Sequence, residues 1–353
     1  MRILLLGEYS GFYFNLKEGL TDLGHEVVLC SNGDGYKNIS ANVKLNSEHS
    51  GLYAKIDRRI KLLRLIQIAK GFDVVQLINP FELKLTAFPI IWFYKKLKKE
   101  NGKFFLSAAG MDAYYWQHAG KKLKYTPFKD HLTYDLKKPT SIFETPSALN
   151  FNKSVANICD GIIPNNFEYE CGYRHEEKLL KTLPIPINTA NLKYEPNMVK
   201  GKIKVFHGLS RYGLKGTRFI EDAFKILSEK YSDQLELNIK GHMPLDEYLD
   251  FITRSNIIID QVFSYSAGMN ALFAMSKGKV VLGGSEPESH KALSTRKSPV
   301  LNIKPNVESI VKSVEYFIKN PKEIERIGFA SRKFVEKYHD HKKIAQMYIN
   351  AWS

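Results

Sequence analysis

The sequence predicts an α/β protein of two doubly wound, Rossmann-like domains that face a cleft. In both halves of the chain, short apolar runs typical of buried parallel strands alternate with segments of helical periodicity. The 353 residues correspond to two domains at roughly 100–200 residues each. A stretch at residues 183–188 separates the two series, because its two prolines force extended backbone. We therefore place the domain boundary between residues 185 and 186.

The first series opens with a strand–helix–strand unit. Residues 3–6 form a short apolar run, apolar residues recur at helical spacing over 12–23, and residues 26–30 form the next strand. Further strands are predicted at residues 72–78, 103–107 and 161–164, and a helix at residues 83–100. Residues 110–149 are irregular and rich in Tyr, Lys and Pro, and a loop of that length inside a domain is usually functional.

The second series follows a polar linker that ends near residue 200. Its predicted strands are residues 204–208, 235–241, 257–260 and 280–282, and its predicted helices are residues 218–230, 245–255 and 268–277. From residue 321 the pattern is helical to the end of the chain. Ligands of doubly wound domains bind outside the carboxyl ends of the strands, so the loops there are the candidate sites.

The chain is strongly basic, with 52 Lys and Arg against 37 Asp and Glu and a formal net charge of +15. Residues 36–139 contain 20 of these basic and 8 of these acidic residues. This distribution predicts an acidic partner, which can be phospholipid, nucleic acid or a phosphorylated substrate, and a solubilising surface is the plain alternative. No nucleic-acid-binding motif accompanies the charge, so we do not expect a nucleic-acid partner.

Cysteine usage and apolar runs bear on the compartment. The three cysteines, Cys30, Cys159 and Cys171, fit neither a disulfide scaffold nor a zinc site and predict a reduced, cytoplasmic setting. The longest apolar stretch, residues 87–94, is far shorter than the ~20 residues of a membrane helix. The N-terminal apolar run meets Glu8 too soon for a signal peptide.

Three strand–loop–helix junctions are candidate anion sites, because unpaired N–H groups and the helix dipole favour anions at the start of a helix. The first is the turn from Gly7 to Gly11, which is either a plain tight turn or a ligand contact through Gly11. The turn lacks the GxGxxG pattern, and no acid ends the second strand. Both features argue against a nicotinamide or flavin oxidoreductase.

The second junction, residues 207–217, contains two cations four residues apart. Arg211 and Lys215 at the open end of a parallel sheet suit a diphosphate, with Gly208 and Ser210 beside them. A solvated basic loop is the alternative interpretation.

The third junction, residues 260–272, runs from a strand into a helix. Gly268 lets a ligand approach the backbone, and the N–H groups of Gly268, Met269 and Asn270 would begin the helix. Two phosphate-competent loops on strand ends of one domain predict a site there.

The order of these motifs is more specific than each motif alone. Gly208, Arg211 and Lys215 fall in the order strand, glycine, basic residue, Lys-Gly and helix. A strand ending in Gly241 follows, and residues 265–281 supply the counterpart of a Glu-x-Phe-Gly…Glu-Ala-Met-x-x-Gly block with its apolar strand. In order and spacing, this stretch resembles the nucleotide-sugar-binding domain of GT-B glycosyltransferases, in particular the retaining family-4 type (glycosyl transferases group 1).

The resemblance implies a retaining glycosyltransferase whose co-substrate is a nucleoside-diphosphate sugar, with UDP or GDP undecided and no metal or other cofactor. Arg211 and Lys215 would be catalytic, because they would stabilise the leaving diphosphate. The implied donor-binding residues are Gly208, Ser210, Gly241, Tyr265, Gly268, Met269, Asn270, Glu286 and Glu288.

The chain departs from the family at the paired glutamates, which fall on Tyr265 and Phe273. The second glutamate normally binds the donor ribose hydroxyls, and phenylalanine cannot accept those hydrogen bonds. Glu286 and Glu288, just after the next strand, are the predicted replacements. Otherwise the protein is a divergent member of the family, or a catalytically silent GT-B protein that binds saccharide or a partner.

The first half resembles the family more loosely. Residues 24–27, Gly-His-Glu-Val, match the lead into its second strand, and residues 109–112 match its cleft-facing Gly-x-Asp turn. Asp112 would then orient or deprotonate the acceptor hydroxyl as a catalytic residue, or it is the N-cap of a helix that starts at Ala113. The implied domains are an acceptor domain 1–185, a donor domain 186–335 and a last helix, about 336–353, that returns to the first domain.

Residues 55–103 are the candidate region for contact with an anionic membrane surface. Residues 58–65 form a cationic, amphipathic run, and Trp92 precedes a lysine cluster in a pattern that suits the headgroup layer. The alternative for the segment around Trp92 is a buried helix whose lysines complement its dipole.

Aromatic residues in the long irregular region are predicted on the acceptor side, together with Gly11. Tyr115 and Trp116, and further along Tyr125 and Phe128, would stack on sugar rings or contact a lipid-linked acceptor. We therefore predict a cytoplasmic glycosyltransferase, peripheral on the inner face of a membrane. It would move a sugar to a saccharide or lipid-linked saccharide in surface polysaccharide or glycoconjugate synthesis.

Overall fold

A computed structural model describes residues 1–47, 51–83 and 90–353. The strands are β1 Arg2–Leu6, β2 Glu26–Ser31, β3 Val43–Lys44, β4 Val74–Leu77, β5 Lys103–Ala108, β6 Gly161–Pro164, β7 Ile203–Leu209, β8 Leu235–Gly241, β9 Ile257–Ile259, β10 Val280–Gly283 and β11 Leu301–Asn302. The α-helices are α1 Phe12–Asp22, α2 Gly51–Ile68, α3 Ile90–Glu100, α4 Phe128–Asp130, α5 Pro146–Ile158, α6 Phe167–Tyr173, α7 Tyr212–Lys215, α8 Thr217–Tyr231, α9 Leu245–Arg254, α10 Met269–Ser276, α11 Pro287–Ala292, α12 Val307–Lys319, α13 Lys322–Tyr338 and α14 His341–Trp352. Short 3-10 helices occur at Gly35–Lys37, Ile142–Glu144 and Thr189–Asn191, and π-helical turns at Tyr115–Ala119 and His131–Asp135.

The chain divides into two compact units. Unit 1 contains Met1–Lys121, Ile142–Pro186 and His341–Ser353, and unit 2 contains Lys122–Ser141 and Ile187–Asp340. The division near residue 186 matches the proline-containing stretch of the sequence. The segment 122–141 differs from the sequence-based boundaries, because it precedes residue 185 yet belongs to unit 2.

Unit 1 is built on a parallel sheet of order β3-β2-β1-β4-β5-β6. The strands of its centre are mostly apolar because both faces of the sheet are buried, as Leu4 and Leu5 show. The strands predicted from apolar runs are present within two residues at each end. β3 was not predicted, since a strand of two residues has no periodic pattern. Of the helix predicted at 83–100, the structure describes α3, and residues 84–89 lie outside the described residues.

The C-terminal helix α14 belongs to unit 1 and completes its core. Trp352 is buried, and its indole N–H donates to Oε1 of Gln76 on β4 at 2.7 Å. The Gln76 side chain in turn donates to Ser107 on β5 at 2.9 Å. These hydrogen bonds satisfy the indole of Trp352 and the amide of Gln76, so their burial does not leave unpaired polar groups that would destabilise the fold.

Unit 2 is built on a parallel sheet of order β11-β10-β9-β7-β8. The strand order reverses between β7 and β9, which is the position where doubly wound sheets bind ligands. The two sheets confirm the predicted α/β class with two Rossmann-like domains. Every predicted donor-binding residue lies in unit 2, on or after a strand of this sheet.

Candidate functional site

The β9–α10 loop leaves the second sheet at its reversal point and leads into an open helix N-terminus. Gly268 is the N-cap of α10 and provides no side-chain cap. Within the described part of the chain, the N–H groups of Gly268, Met269 and Asn270 have no hydrogen-bond partner. A Cβ placed on Gly268 would be in ordinary van der Waals contact with Gln261 Nε2 at 3.6 Å and Asp260 Oδ2 at 3.9 Å. The arrangement is that of an anion-binding helix start.

Lys215 joins the β7–α7 loop to this junction. Its ammonium lies 3.0 Å from Oδ1 of Asp260, the residue that follows β9, and both side chains are only 6% exposed. The backbone N–H of Val262 also donates to the Lys215 carbonyl at 3.2 Å. A buried ion pair of this kind is costly to break from one side. One N–H of the Lys215 ammonium therefore pairs with Asp260, and the other two can donate to a ligand.

Arg211, the second predicted cation, is exposed at the N-cap of α7. Among the described residues its guanidinium makes no hydrogen bond or ion pair. Ser210 beside it likewise has no partner there. Arg211 is thus a cation available to a ligand, in contrast to Lys215.

The backbone amides at the start of α7 are already occupied. Gly213 and Leu214 donate to the two carboxylate oxygens of Asp135 at 2.8 and 2.9 Å. Asp135 comes from the segment 122–141, and His131 of the same segment lies 2.9 Å from it through Nδ1. Asp130 anchors the segment further by a two-point contact with Arg218 at 2.6 and 3.2 Å. These amides are satisfied internally, which the sequence did not indicate.

Tyr265 occupies the position where the resembled family has its first glutamate, and it holds the segment 122–141. Its hydroxyl accepts hydrogen bonds from the backbone N–H groups of Lys124 at 2.6 Å and Tyr125 at 3.2 Å. The rings of Tyr125 and Tyr265 stack with their centroids 4.5 Å apart. Tyr125 was predicted on the acceptor side of the first domain, and the structure instead places it in unit 2 against a predicted donor-binding residue.

Glu286 follows β10 and is buried. Oε1 of Glu286 accepts from the Tyr125 hydroxyl at 2.7 Å, from Asn302 Nδ2 at 2.9 Å and from the Lys304 ammonium. Burial raises the pKa of Glu286, but the hydrogen bonds from Asn302, Lys304 and Tyr125 outweigh it and leave this pKa below its usual value. Glu286 is therefore a carboxylate at neutral pH.

Glu288 is more exposed than Glu286 and pairs with Lys124 at 3.0 Å. A surface pair of this kind contributes little to stability. The Glu286 N–H donates to the Tyr265 carbonyl at 2.9 Å, and a Cβ on Gly283 would lie 3.5 Å from Asp260. The loops after β9 and β10 therefore run side by side.

Gly208 and Gly241 have structural reasons for being glycine. A Cβ on Gly208 would lie 2.4 Å from the ring of Tyr248, and a Cβ on Gly241 would lie 1.8 Å from the Leu209 carbonyl oxygen. Both positions close the β7–β8 pair, so the glycine pattern there follows from packing whether or not a ligand binds.

His207, near the end of β7, is a structural residue. Its ring is fully buried, with Nδ1 2.8 Å from the Ile259 carbonyl and Nε2 3.0 Å from the Thr217 hydroxyl. Burial lowers the pKa of His207 to about 4, with a further contribution from the charge of Lys215. The neutral ring ties β7 to β9 and to the start of α8.

In unit 1, Asp112 is enclosed rather than open. It is 1% exposed; Oδ1 accepts the Tyr115 N–H at 2.7 Å and Oδ2 accepts the Tyr173 hydroxyl at 2.7 Å. Burial raises the pKa of Asp112 to about 6, although the N–H of Tyr115 and the hydroxyl of Tyr173 act in the opposite direction. Of the two interpretations drawn from the sequence, this geometry supports the cap of the turn at Ala113.

Tyr115 and Trp116 are also buried in unit 1. The ring of Tyr115 meets that of Tyr169 edge-on, with the centroids 5.1 Å apart, and the ring centroids of Trp116 and Phe143 are 6.5 Å apart. Each side chain is less than a tenth exposed. Their role in acceptor binding remains a prediction, and their packing shows that they also belong to the core.

The predicted ligand contact at Gly11 lies at the start of α1, where backbone N–H groups already donate to a side chain of the same unit. Gly11 has a φ of +94°, which favours glycine, and its N–H donates to Glu8 Oε1 at 2.8 Å. Oε2 of Glu8 accepts the Phe14 N–H at 2.7 Å. Burial raises the pKa of Glu8 to about 8, although the N–H groups of Phe14 and Gly11 act in the opposite direction. Both carboxyl oxygens are used by the fold, which fits the plain-turn interpretation.

No family model and no curated protein matches the sequence. Solved structures do match the fold. Sucrose-phosphate synthase from Thermosynechococcus elongatus aligns with a TM-score of 0.63 at 13% identity, over 100% of this chain and 98% of that one. Anabaena HepE, in complex with UDP and glucose, aligns with a TM-score of 0.63 at 10% identity over 99% of both chains.

The fold is GT-B. An epimerase shares this fold. UDP-GlcNAc 2-epimerase from Neisseria meningitidis bound to UDP-GlcNAc aligns with a TM-score of 0.54 at 14% identity over 99% of both chains. The predicted GT-B fold class is thereby confirmed at the level of fold.

Proposed function

We propose that the protein is a glycosyltransferase that moves a sugar from a nucleoside-diphosphate sugar to a saccharide or lipid-linked saccharide, with retention of configuration. The pathway class we assign is the synthesis of surface polysaccharide or glycoconjugate. The observation that supports donor binding best is the open start of α10. It lies at the reversal point of the second sheet and next to the loop of Glu286.

The proposed chemical step needs stabilisation of the leaving nucleoside diphosphate. Arg211, the two free donors of Lys215 and the N–H groups of Gly268 to Asn270 would share the negative charge that develops there, without a metal ion. No group of three potential metal ligands occurs among the described residues.

Arg211→Ala is the direct test of this site. The change removes an exposed, unpaired cation, so the free energy of unfolding stays unchanged while donor turnover falls about 10²-fold. Lys215→Ala serves as a contrast rather than a second probe, because it leaves Asp260 buried without its partner and costs about 3–5 kcal/mol of stability. Turnover by Arg211→Ala equal to that of the wild type would contradict the site assignment.

The experiment for the function itself is a panel of UDP- and GDP-sugars, read by thermal shift and by NMR of the released sugar. Donor hydrolysis or transfer with retention is the expected result. Release of an epimerised sugar would replace the transferase proposal with epimerisation, a reaction class known for the same fold. Absence of any nucleotide response would overturn the donor site.

A catalytically silent protein is the second candidate, because Phe273 stands at the family's second glutamate. Phe273 is buried in α10 and cannot accept a ribose hydroxyl. This candidate predicts saccharide binding without nucleotide binding, so the same thermal-shift panel separates the two.

An anionic membrane surface is the partner we propose for unit 1. Tyr53, Ile56, Ile60 and Leu63 recur at helical spacing on α2 and are 76%, 46%, 43% and 54% exposed. Residues 36–121 contain fifteen basic and six acidic residues, a charge that favours anionic lipid. Among the described residues, no helix is long and apolar enough to cross a membrane. Of the apolar stretch 87–94, residues 87–89 lie outside the described residues.

The membrane partner is tested by co-sedimentation with vesicles of neutral lipid and of neutral lipid plus phosphatidylglycerol. Binding that needs the anionic lipid and is lost in Ile60→Ser is expected. Ile142→Ser is the control, since Ile142 is 60% exposed outside α2. Equal binding of both variants would contradict α2 as the membrane contact.

A further inference from the structure

The segment 122–141 brings a tyrosine hydroxyl onto the carboxylate of Glu286. Tyr125 and Glu286 are far apart in the sequence, yet their side chains are 2.7 Å apart in unit 2. The ring of Tyr125 stacks on Tyr265, its N–H is held by the Tyr265 hydroxyl, and the Lys304 ammonium lies 5.5 Å from its centroid. Tyr125 is therefore fixed through both its backbone and its ring.

The three donors to Glu286 all reach the same oxygen. Tyr125, Asn302 and Lys304 converge on Oε1. Oε2 has no hydrogen-bond partner among the described residues. It is not among the fully buried polar atoms that lack a partner, so part of its surface is accessible. One carboxylate oxygen is thus locked in place and the other remains an available acceptor.

A capping role does not explain this arrangement. Glu286 is the N-cap residue of α11, but its side chain makes no cap hydrogen bond, and Pro287 at the first helical position has no N–H to satisfy. The carboxylate instead extends toward Tyr125 and Lys304. The fold uses only one of its two oxygens.

The chemistry of Oε2 selects the class of ligand. An ionised carboxylate oxygen accepts hydrogen bonds and repels anions, so phosphate does not suit it. The Lys304 ammonium already offsets the charge, which disfavours a metal cation. Neutral hydroxyl donors remain, and a nucleotide bound at α10 presents such donors on its ribose.

We infer that Tyr125 is a positioning residue of the nucleotide site, which holds Oε1 of Glu286 so that Oε2 accepts the ribose hydroxyls of a nucleoside diphosphate. The inference rests on the proposed donor site and adds to it a residue from the first half of the chain. Tyr125 itself acts through Glu286 and does not replace the missing glutamate.

The test compares UDP and GDP with their 2′,3′-dideoxy forms by isothermal titration calorimetry on the full chain. A hydrogen bond to a charged acceptor corresponds to roughly 10- to 100-fold in affinity, so the wild type is expected to prefer the hydroxylated nucleotide by that factor. In Tyr125→Phe the preference falls below about threefold while the dideoxy affinity stays unchanged. In Glu286→Gln the preference falls in the same way, because the neutral amide is a weaker acceptor.

Tyr134→Phe is the matched control, because Tyr134 is a half-exposed tyrosine of the same segment whose ring meets Tyr212 and not Glu286. It should keep the full preference. Equal loss of affinity for both nucleotide forms in Tyr125→Phe would show a merely structural role and overturn the inference. Failure of the wild type to bind any of the nucleotides would overturn the proposed function as well, whereas binding without ribose preference overturns this inference alone.

Discussion

The two units contain the same strand–turn–helix junction and use it in opposite ways. After β1, Glu8 turns back and accepts the N–H groups of Gly11 and Phe14 at the start of α1. After β9, the start of α10 has Gly268 as its N-cap, and its first N–H groups have no partner among the described residues. A carboxyl group of the chain itself satisfies the first helix, while the second helix is left for an anion from outside.

The start of α7 shows that a helix start in unit 2 can also be occupied by an acid of the chain. Its amides lie in unit 2 beside Arg211, yet Asp135 fills them from the segment 122–141. Of the three junctions that the sequence marks as anion-competent, the first is closed by Glu8, and the second is closed by Asp135 at the start of α7. The longer helix of the second junction, α8, begins like α10 at a glycine N-cap without a side-chain cap.

Closing α10 in the manner of α1 has the largest expected effect. Gly268→Asp places a carboxylate at the N-cap, where the φ of −88° and the absence of any contact closer than 3.6 Å tolerate a Cβ. We expect nucleotide affinity to fall about a thousandfold, because like charges cost several kcal/mol when juxtaposed. Calorimetric titration of UDP measures the change.

Gly268→Ser is the control for that prediction. Serine also caps the helix but adds no charge, so the folded state is stabilised or unchanged and nucleotide affinity falls much less. If the aspartate and serine variants bound nucleotide equally well, the anion site would not be at α10.

Asp112 provides the next test, since it is an acid of unit 1 whose oxygens are both in use. Its pKa of about 6 lies above its usual value of 3.8, so the folded state binds the proton more tightly than the unfolded state. The associated stability is fully present below about pH 4 and is lost as the pH rises to about 6, by at most about 3 kcal/mol. Asp112→Asn should remove this part of the pH dependence.

Urea denaturation of the wild type and Asp112→Asn at pH 4, 5, 6 and 7 measures the effect as a difference between the two proteins. Asparagine still accepts the Tyr115 N–H and can donate to Tyr173, so the fold is retained. The exposed Asp233→Asn is the control. A difference that is independent of pH would contradict the prediction, and loss of transfer with an intact fold would favour the catalytic interpretation of Asp112.

Opening α1 should have the smallest effect and only on stability. At pH 9, above the Glu8 pKa of about 8, Glu8→Gln replaces an ionised acceptor oxygen by an amide N–H, which leaves the Gly11 or Phe14 N–H facing a donor at a cost of about 2 kcal/mol. Nucleotide affinity should not change. The free energy of unfolding by urea, with the exposed Glu229→Gln as control, measures the loss. A weaker nucleotide affinity in Glu8→Gln would place part of the anion site in unit 1.

The pattern of the sequence predicted the longer strands, because a continuous apolar run or an alternation of apolar and polar residues each indicates a strand. Residues 235–241 and 161–164 form strands with the predicted bounds. The sequence also located the β9–α10 junction, since Gly268 and the helix after it are local features. It missed β3 and β11, whose two residues have no pattern, and the helix start at α7 that Asp135 fills.

The amino-acid sequence by itself determined two series of strands and helices and the glycine-containing loops at their strand ends. Local hydrophobic spacing and turn chemistry suffice for these features, because neighbours in the chain decide them. The tertiary structure alone decided which helix starts are closed, that residues 122–141 belong to unit 2, and that Tyr125 holds Glu286. Those outcomes depend on contacts between residues far apart in the chain, and only packing of the folded units brings such side chains within hydrogen-bond distance.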